Sequence, residues 1–188
     1  MFLTIFLMSL WLVACALVFS ILPAAFPLWL MAAVAFGGAL VVAIISRPRP
    51  KRLPIVVDGS NVIHWINDEP SLENLQDVIE ELHYIGFRPI VWFDANVGYK
   101  VGMSYMGPRA LARHLTIPAS DIRVAPKGEP ADPLLLAEAA KLNARVLSND
   151  RFRDWVTQFP QLAEEDFLVR GRIRADGVDL KVAPPTAA

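Results

Sequence analysis

Five aspartates stand where short apolar runs stop or helical patterns begin. Asp58 follows "IVV", Asp94 follows "PIVWF", Asp132 heads "DPLLLAEAAKLN", and Asp150 and Asp154 fall in "VLSNDRFRDW". A single aspartate at the end of a strand is an ordinary turn residue. Three on three strands share the edge at which open parallel sheets build their sites. Asp154, four residues beyond Asp150, shares a helix face with it if a helix follows the last strand. Carboxylates gathered in one cleft repel one another, and a divalent cation offsets that repulsion. An all-oxygen set suits magnesium or manganese, which bridge carboxylates to substrate phosphates. The chemistry this implies is hydrolysis of a phosphodiester, with the cation acidifying water and offsetting charge on the phosphate.

Each carboxylate also has a plain structural reading. Asp132 before Pro133 has the pattern of a helix N-cap, and Asp150 precedes a helical stretch in the same way. Asp58–Gly59 and Asp94 in "FDANVG" suit turns, and Asp154 is within reach of Arg151 and Arg153 on a solvated face. Convergence, not any one residue, separates the functional reading from these.

Other chemistries lack their parts. His64, His83 and His114 have no metal-ligand spacing, and the single cysteine, Cys15, excludes a disulfide framework or a Cys-rich zinc site within one chain. No phosphate-cradling glycine loop occurs: Gly98, Gly102 and Gly107 are too scattered. Ser60 and Ser148 have no evident histidine partner for nucleophilic catalysis.

The elements that must position the aspartates alternate. "IVV" and "PIVWF" read as buried strands, "DIRVA" and "ARVLS" as further ones. "SLENLQDVIEELHYIG" reads as a helix, with Ser71 as N-cap and Gly86 as stop. "PRALARHL" is a short helix with Pro108 in its first turn, a helix opens at Asp132 and Pro133, and another is expected from Arg151 to Phe159. The closing stretch "DFLVRGRIRADGVDLKV" alternates around a hairpin turn at Asp176–Gly177. Strands alternating with helices give an α/β layer fold with a mainly parallel sheet.

"VVDGSNV" (Val56 to Val62), the helix start at Asp132, and "VLSNDRFRDW" (Val146 to Trp155) together resemble the NYN branch of the PIN-like nucleases, most closely the Regnase-type ribonucleases. The resemblance runs over about residues 53 to 183 and implies a PIN-like three-layer fold. It also implies magnesium- or manganese-dependent endonucleolytic cleavage of single-stranded RNA. Carried onto this chain, it makes Asp58, Asp132 and Asp150 the metal-binding centre, with Asp94 as a further acidic position. Asp154 completes the catalytic set, and Asn61 orients the centre. Substrate contacts then fall to Asn61, Ser148 and Asn149, with Lys127, Arg109, Arg113 and Lys100 flanking the crevice in sequence; Tyr99 and Tyr105 are stacking candidates, and Trp65 could stack but suits core packing better. Two departures matter. Pro133 stands where the group commonly carries a second aspartate, and no CCCH zinc finger accompanies the domain. A catalytically impaired RNA-binding or scaffold module is therefore the alternative, and a homodimer is left open.

Charge is distributed unevenly along the 188 residues. Met1 to Ser46 contain no Asp, Glu, Lys, Arg or His, whereas the remainder is balanced and the whole carries a net charge of −1. Near-neutrality excludes a generally basic nucleic-acid coat but not a local basic groove. Residues 1–22 and 28–46 each approach the roughly 20 apolar residues of a membrane span, separated by "PAAFP". A basic cluster, Arg47, Arg49, Lys51 and Arg52, follows directly. The expectation is a two-helix transmembrane hairpin over 1–46, a basic proline-rich linker over 47–54, a nuclease domain over 55–183 on the cytoplasmic side, and a disordered tail over 184–188.

Overall fold

The computed structural model describes residues 9–11, 13, 14, 17, 28–45, 52–66 and 69–184. Contacts divide the chain into two units, residues 1–50 and 51–188.

The membrane expectation is overturned in the first unit. Helix α1, Leu28–Ile45, has 18 residues. At the helical rise it is about 27 Å long, short of a hydrocarbon core of roughly 30 Å. Among the described residues no helix is long and apolar enough to cross a membrane. The two-span anchor, the multi-pass membrane localisation and the cytoplasmic orientation drawn from it therefore fall. The uncharged run misled because lack of charge limits where a helix is buried, not how far it extends. Most of the first proposed span, like residue 46 at the end of the second, residues 47–51 of the linker and 185–188 of the tail, lies outside the described residues.

In the second unit the sheet begins earlier than expected. Strand β1 spans Leu53–Asp58 and pairs in parallel with β2, Phe87–Phe93, from Leu53 opposite Phe87 to Asp58 opposite Trp92. The start at Leu53 absorbs Pro54, which the sequence places in the linker. Proline cannot donate to a ladder, but β1 pairs with β4, Arg145–Leu147, only from Ile55 onward, so Pro54 has a free side. Pro89 in β2 escapes in the same way, since β3, Ile122–Val124, joins only at Val91. With β5, Leu168–Val169, on the far side, five parallel strands run in the order β3-β2-β1-β4-β5.

Alternation along β1 builds two cores. Ile55 and Val57 face one layer with Leu75, Val78, Ile79 and Leu82 of helix α3 (Leu72–Tyr84), whereas Val56 faces the other with Leu135, Leu136 and Ala139. The latter three belong to a long helix that spans Ala131–Leu142. All three β1 residues are fully buried, each worth about 1.5–3 kcal/mol. Helices on both faces of a parallel sheet make the three-layer α/β architecture that the alternating pattern predicts.

Helix ends follow the sequence signals in part. Ser71 Oγ accepts from Glu73 N at 3.0 Å and caps α3. Between β1 and α3 lies a single turn, α2 (Gly59–Val62), and after β2 come α4 (Val97–Lys100) and α5 (Pro108–Leu111). The Ala131–Leu142 helix is α6; its N-cap is Pro130, not Asp132, and Asn143 ends it in the left-handed region at φ 48°. The helix expected over 151–159 does not form. Phe152, 2% exposed, is buried in the α6-side core with a left-handed backbone (φ 49°), and only a 3₁₀ turn follows at Arg153–Trp155. Strands β6 (Gly171–Arg174) and β7 (Gly177–Leu180) close the domain as an antiparallel hairpin.

Candidate active site

Strand parity decides where the carboxylates point. Successive side chains alternate between faces, so Asp58 shares the face of Val56, which is packed on α6. Ser148 continues the face of Val146, and Asp94 that of Trp92, both likewise turned to α6. Asp132 lies in the first turn of that helix. The strand order reverses at β1: the chain moves outward to β2 and β3, then crosses back to β4 and β5. Such switch points open a crevice beyond the strand ends. Here it falls between Asp58 and Ser148.

The crevice is stitched by hydrogen bonds. Ser148 Oγ donates to Asp58 Oδ2 at 2.8 Å, and Asn61 N donates to Asp58 Oδ1 at 3.1 Å. The Asn61 side chain completes a hub: its Oδ1 accepts from Asn149 N at 3.0 Å and from Trp65 Nε1 at 2.9 Å. Trp65 is thereby a packing and positioning residue, half-buried against Gly171. Gly59 allows α2 to sit this low, since a Cβ there would lie 2.7 Å from the Phe93 ring and 2.9 Å from Trp92 O.

Beyond β4 the chain folds into a tight turn. Asp150 N donates to Ser148 Oγ at 3.1 Å, and Phe152 N donates to Asp150 Oδ1 at 2.7 Å. Arg170 Nη1 braces that turn, donating to Ser148 O at 3.0 Å and Asp150 O at 2.7 Å. No spacing rule pointed to Arg170, because its partners are backbone carbonyls some 20 residues away.

Asp58 is 5% exposed. Burial pushes its carboxyl from 3.8 up to about 7; the bonds from Ser148 and Asn61 oppose this, and the charges of Asp132 and Asp94 add to it. Burial also raises Asp132, followed by the charges of Asp150 and Asp94, while a hydrogen bond with Trp155 pulls it back. Among the described residues no Lys or Arg forms an ion pair with Asp58, Asp132 or Asp150. These are hard oxygen donors under mutual repulsion, with Arg170 the counter-charge near Asp150 but no ion pair formed, a setting a divalent cation fits. Among the described residues, no three acidic, His or Cys groups stand close enough to hold one ion directly. Magnesium, which keeps several waters and takes one or two carboxylates, is compatible with that looser spacing.

The remaining candidates spread out. Asp94 holds Lys100 Nζ at 3.4 Å, and its N–H donates to Ser60 Oγ at 2.9 Å. Asp154 is exposed on the 3₁₀ turn, so the shared helix face with Asp150 does not exist. Asn149 is committed to the hairpin, donating to Gly171 O at 2.8 Å and accepting from Gly171 N at 3.3 Å. Lys127 is exposed in the turn between β3 and Asp132. Arg109 and Arg113 line a hollow with Ala119 and Ser120 beside edge strand β3, two strands from the Asp58 crevice. Tyr99, in α4, and Tyr105, in the loop after it, are 63% and 60% exposed.

A three-layer parallel domain with carboxylates at its switch point is the frame of a PIN-like nuclease domain. Residues 51–168, more than half of the chain, match the family described as the Zc3h12a-like ribonuclease NYN domain, and the chain belongs to that family. No curated protein matches the sequence. Solved structures give the same fold. A crystal structure of nuclear proteinaceous RNase P 2 from Arabidopsis thaliana is similar with a TM-score of 0.55 and 20% identity, covering 72% of this chain and 31% of that one. A second structure of the Arabidopsis thaliana nuclear protein-only RNase P 2 gives 0.56 and 20%, covering 82% and 35%. This chain thus spans about a third of their length.

Proposed function

We propose that this chain is a metal-dependent endoribonuclease that hydrolyses phosphodiester bonds of single-stranded RNA. Magnesium or manganese would take one or two of Asp58, Asp132 and Asp150 as direct ligands, since among the described residues no three such groups stand close enough to hold one ion, and the remaining carboxylates, with Asp94 or Asp154, would act through its bound waters. The observation that carries the reading is Asp58: a buried carboxyl with a proton affinity near neutrality, facing Asp132 and lacking a paired cation. Family membership supports ribonuclease chemistry, and RNase P is the named activity of the structural neighbours.

A bound divalent cation supplies charge neutralisation at the phosphate and a more acidic water. The protein's own part is positional. Ser148 Oγ–H and Asn61 N–H fix both oxygens of Asp58. Asn61 ties the β1 end to the Ser148–Asp150 turn, and Arg170 holds that turn from the other side. Lys127 contacts a substrate phosphate at the rim.

One observation favours the second reading, an RNA-binding module without chemistry: Pro133 replaces the second aspartate of the resembling proteins. The deciding experiment incubates the purified full chain with single-stranded RNA, single-stranded DNA and duplex RNA, in manganese, magnesium or EDTA. Internal cuts in single-stranded RNA alone, lost in EDTA, are expected. Binding without cleavage in either metal overturns the enzymatic reading.

A further inference from the structure

The β6–β7 hairpin lies beyond residues 51–168, the stretch that carries the family match. Between Arg170 and Lys181 it holds four cations, Arg170, Arg172, Arg174 and Lys181, against two carboxylates, Asp176 and Asp179, in a chain whose overall charge is −1. The strand sorts these charges. Exposure alternates along β6: Ile173 packs inward with Val178 and Leu180 on the α3-side core, while Arg172 and Arg174 are exposed. Asp179, directly opposite Arg172, accepts from Arg172 at 3.0 Å and from Arg174 at 3.2 Å. Two guanidinium groups share this one carboxylate and leave several N–H donors unused, while at the hairpin tip Arg174 also borders a hollow lined by Asp77, Glu80 and Glu81 of α3.

The root of this face is fixed to the candidate site. Asn149 exchanges hydrogen bonds with the backbone of Gly171, and Arg170 grips Ser148 O and Asp150 O. The arginine-bearing face therefore starts beside the Ser148–Asp150 turn and runs from it toward the acidic flank of α3. Arg172 and Arg174 stand two residues apart, about 7 Å along the strand, a step comparable with that between neighbouring phosphates of an extended chain. Guanidinium forks suit phosphate oxygens.

We propose that Arg172 and Arg174 bind successive backbone phosphates of a single-stranded RNA outside its scissile position, with Asp179 spacing them and competing with the RNA. The identity of the strand rests on the ribonuclease reading above. The hairpin supplies affinity and direction, not chemistry.

The test is binding of a labelled single-stranded RNA to the full chain in EDTA, by fluorescence anisotropy across a salt series. Arg172→Gln with Arg174→Gln should weaken binding about tenfold or more. It should also reduce the slope of log affinity against log salt by about 1.4, two contacts at roughly 0.7 each. Asp179→Asn should tighten binding, since it removes the competing anion, and Lys141→Gln on the far end of α6 should leave it unchanged. Manganese affinity of the double variant should equal wild type. RNA affinity and salt slope unchanged in the double variant would overturn the proposal, whether or not the wild type cleaves. Should the wild type bind but never cleave, the enzymatic reading fails while the hairpin result still stands. If the double variant does not fold, Asp179→Asn decides alone: unchanged or weaker binding overturns the proposal.

Discussion

Ser148 Oγ, beyond the end of β4, donates to Asp58 Oδ2, at the end of β1, over 2.8 Å. This bond spans the switch-point crevice and is one of the two contacts that oppose the upward push of burial on Asp58. Ser148 is itself fully buried and also accepts from Asp150 N. Replacing it by alanine removes a donor and an acceptor at once. Ser148→Ala should lower the stability of the metal-free protein by about 1–3 kcal/mol and raise the proton affinity of Asp58 further. Manganese titrations by calorimetry at pH 6, 7 and 8 should show the variant needing higher pH for the same affinity. Equal affinity at all three pH values would mean that Asp58 does not take part in binding.

The pH dependence of the metal-free protein follows from the same carboxyl. Its folded-state pKa, about 7, lies above the ordinary 3.8. Between those values the folded state holds the proton more tightly than the unfolded chain. The contribution to stability is therefore largest below pH 4, falls as pH rises, and is lost above about pH 7. Three units correspond to roughly 4 kcal/mol as an upper figure. In EDTA, the melting temperature should fall between pH 5 and 8 for the wild type and fall much less for Asp58→Asn. Parallel curves for the two proteins would refute the assignment.

Gly59 tests the geometry of "DGSN" apart from its charge. A methyl group there meets Phe93, Val91 and Trp92 O, all within 3 Å. Overpacking of this kind costs about 1–3 kcal/mol. It lifts α2, which carries Asn61, off the end of β2. Gly59→Ala should therefore lower the melting temperature and weaken manganese binding together, although no ligand is removed. A variant with wild-type melting behaviour would show that α2 has room to spare.

Some of this was written in local signals and some was not. The run Ile55–Val57 is apolar on both faces, the mark of a strand covered on each side, and Ser71 and Gly86 bound a helix by chemistry that acts within a few residues. Long-range decisions were hidden. The 151–159 segment has helical spacing, but Phe152 is needed in the α6-side core and takes a left-handed backbone to reach it. Arg170 reads as one more surface arginine until the parallel pairing of β5 with β4 carries it to the Ser148–Asp150 turn. Arg109 and Arg113 look like neighbours of the crevice in sequence, yet β3 is the edge strand and carries them outward. The charge-free run of residues 1–46 suggested membrane spans because composition reports polarity without reporting helix length.

Trp155 and Asp132 give the last prediction, which separates chemistry from folding at the other wall of the crevice. Asp132 is raised by burial and by the charges of Asp150 and Asp94, and the hydrogen bond with Trp155 is the contact that opposes them. Trp155→Phe keeps an aromatic ring against the α6-side core but deletes the indole N–H, so Asp132 should bind its proton more tightly. Asp132→Asn deletes the charge instead. Asparagine is tolerated in the first turn of a helix, and α6 is capped at Pro130 without help from the Asp132 side chain, so the helix should persist. Asp150→Asn keeps an oxygen for the Phe152 N–H and should also leave the fold in place. The three variants should melt within a few degrees of wild type in EDTA. Cleavage of single-stranded RNA should fall by at least tenfold in the two aspartate variants. At neutral pH it should also fall in Trp155→Phe, and raising the pH should recover it in that variant alone, because only that variant retains the Asp132 carboxylate to ionise. If all three cleave like wild type, or if the aspartate variants lose their fold without metal, then Asp132 and Asp150 are structural residues and the endonuclease proposal fails with them.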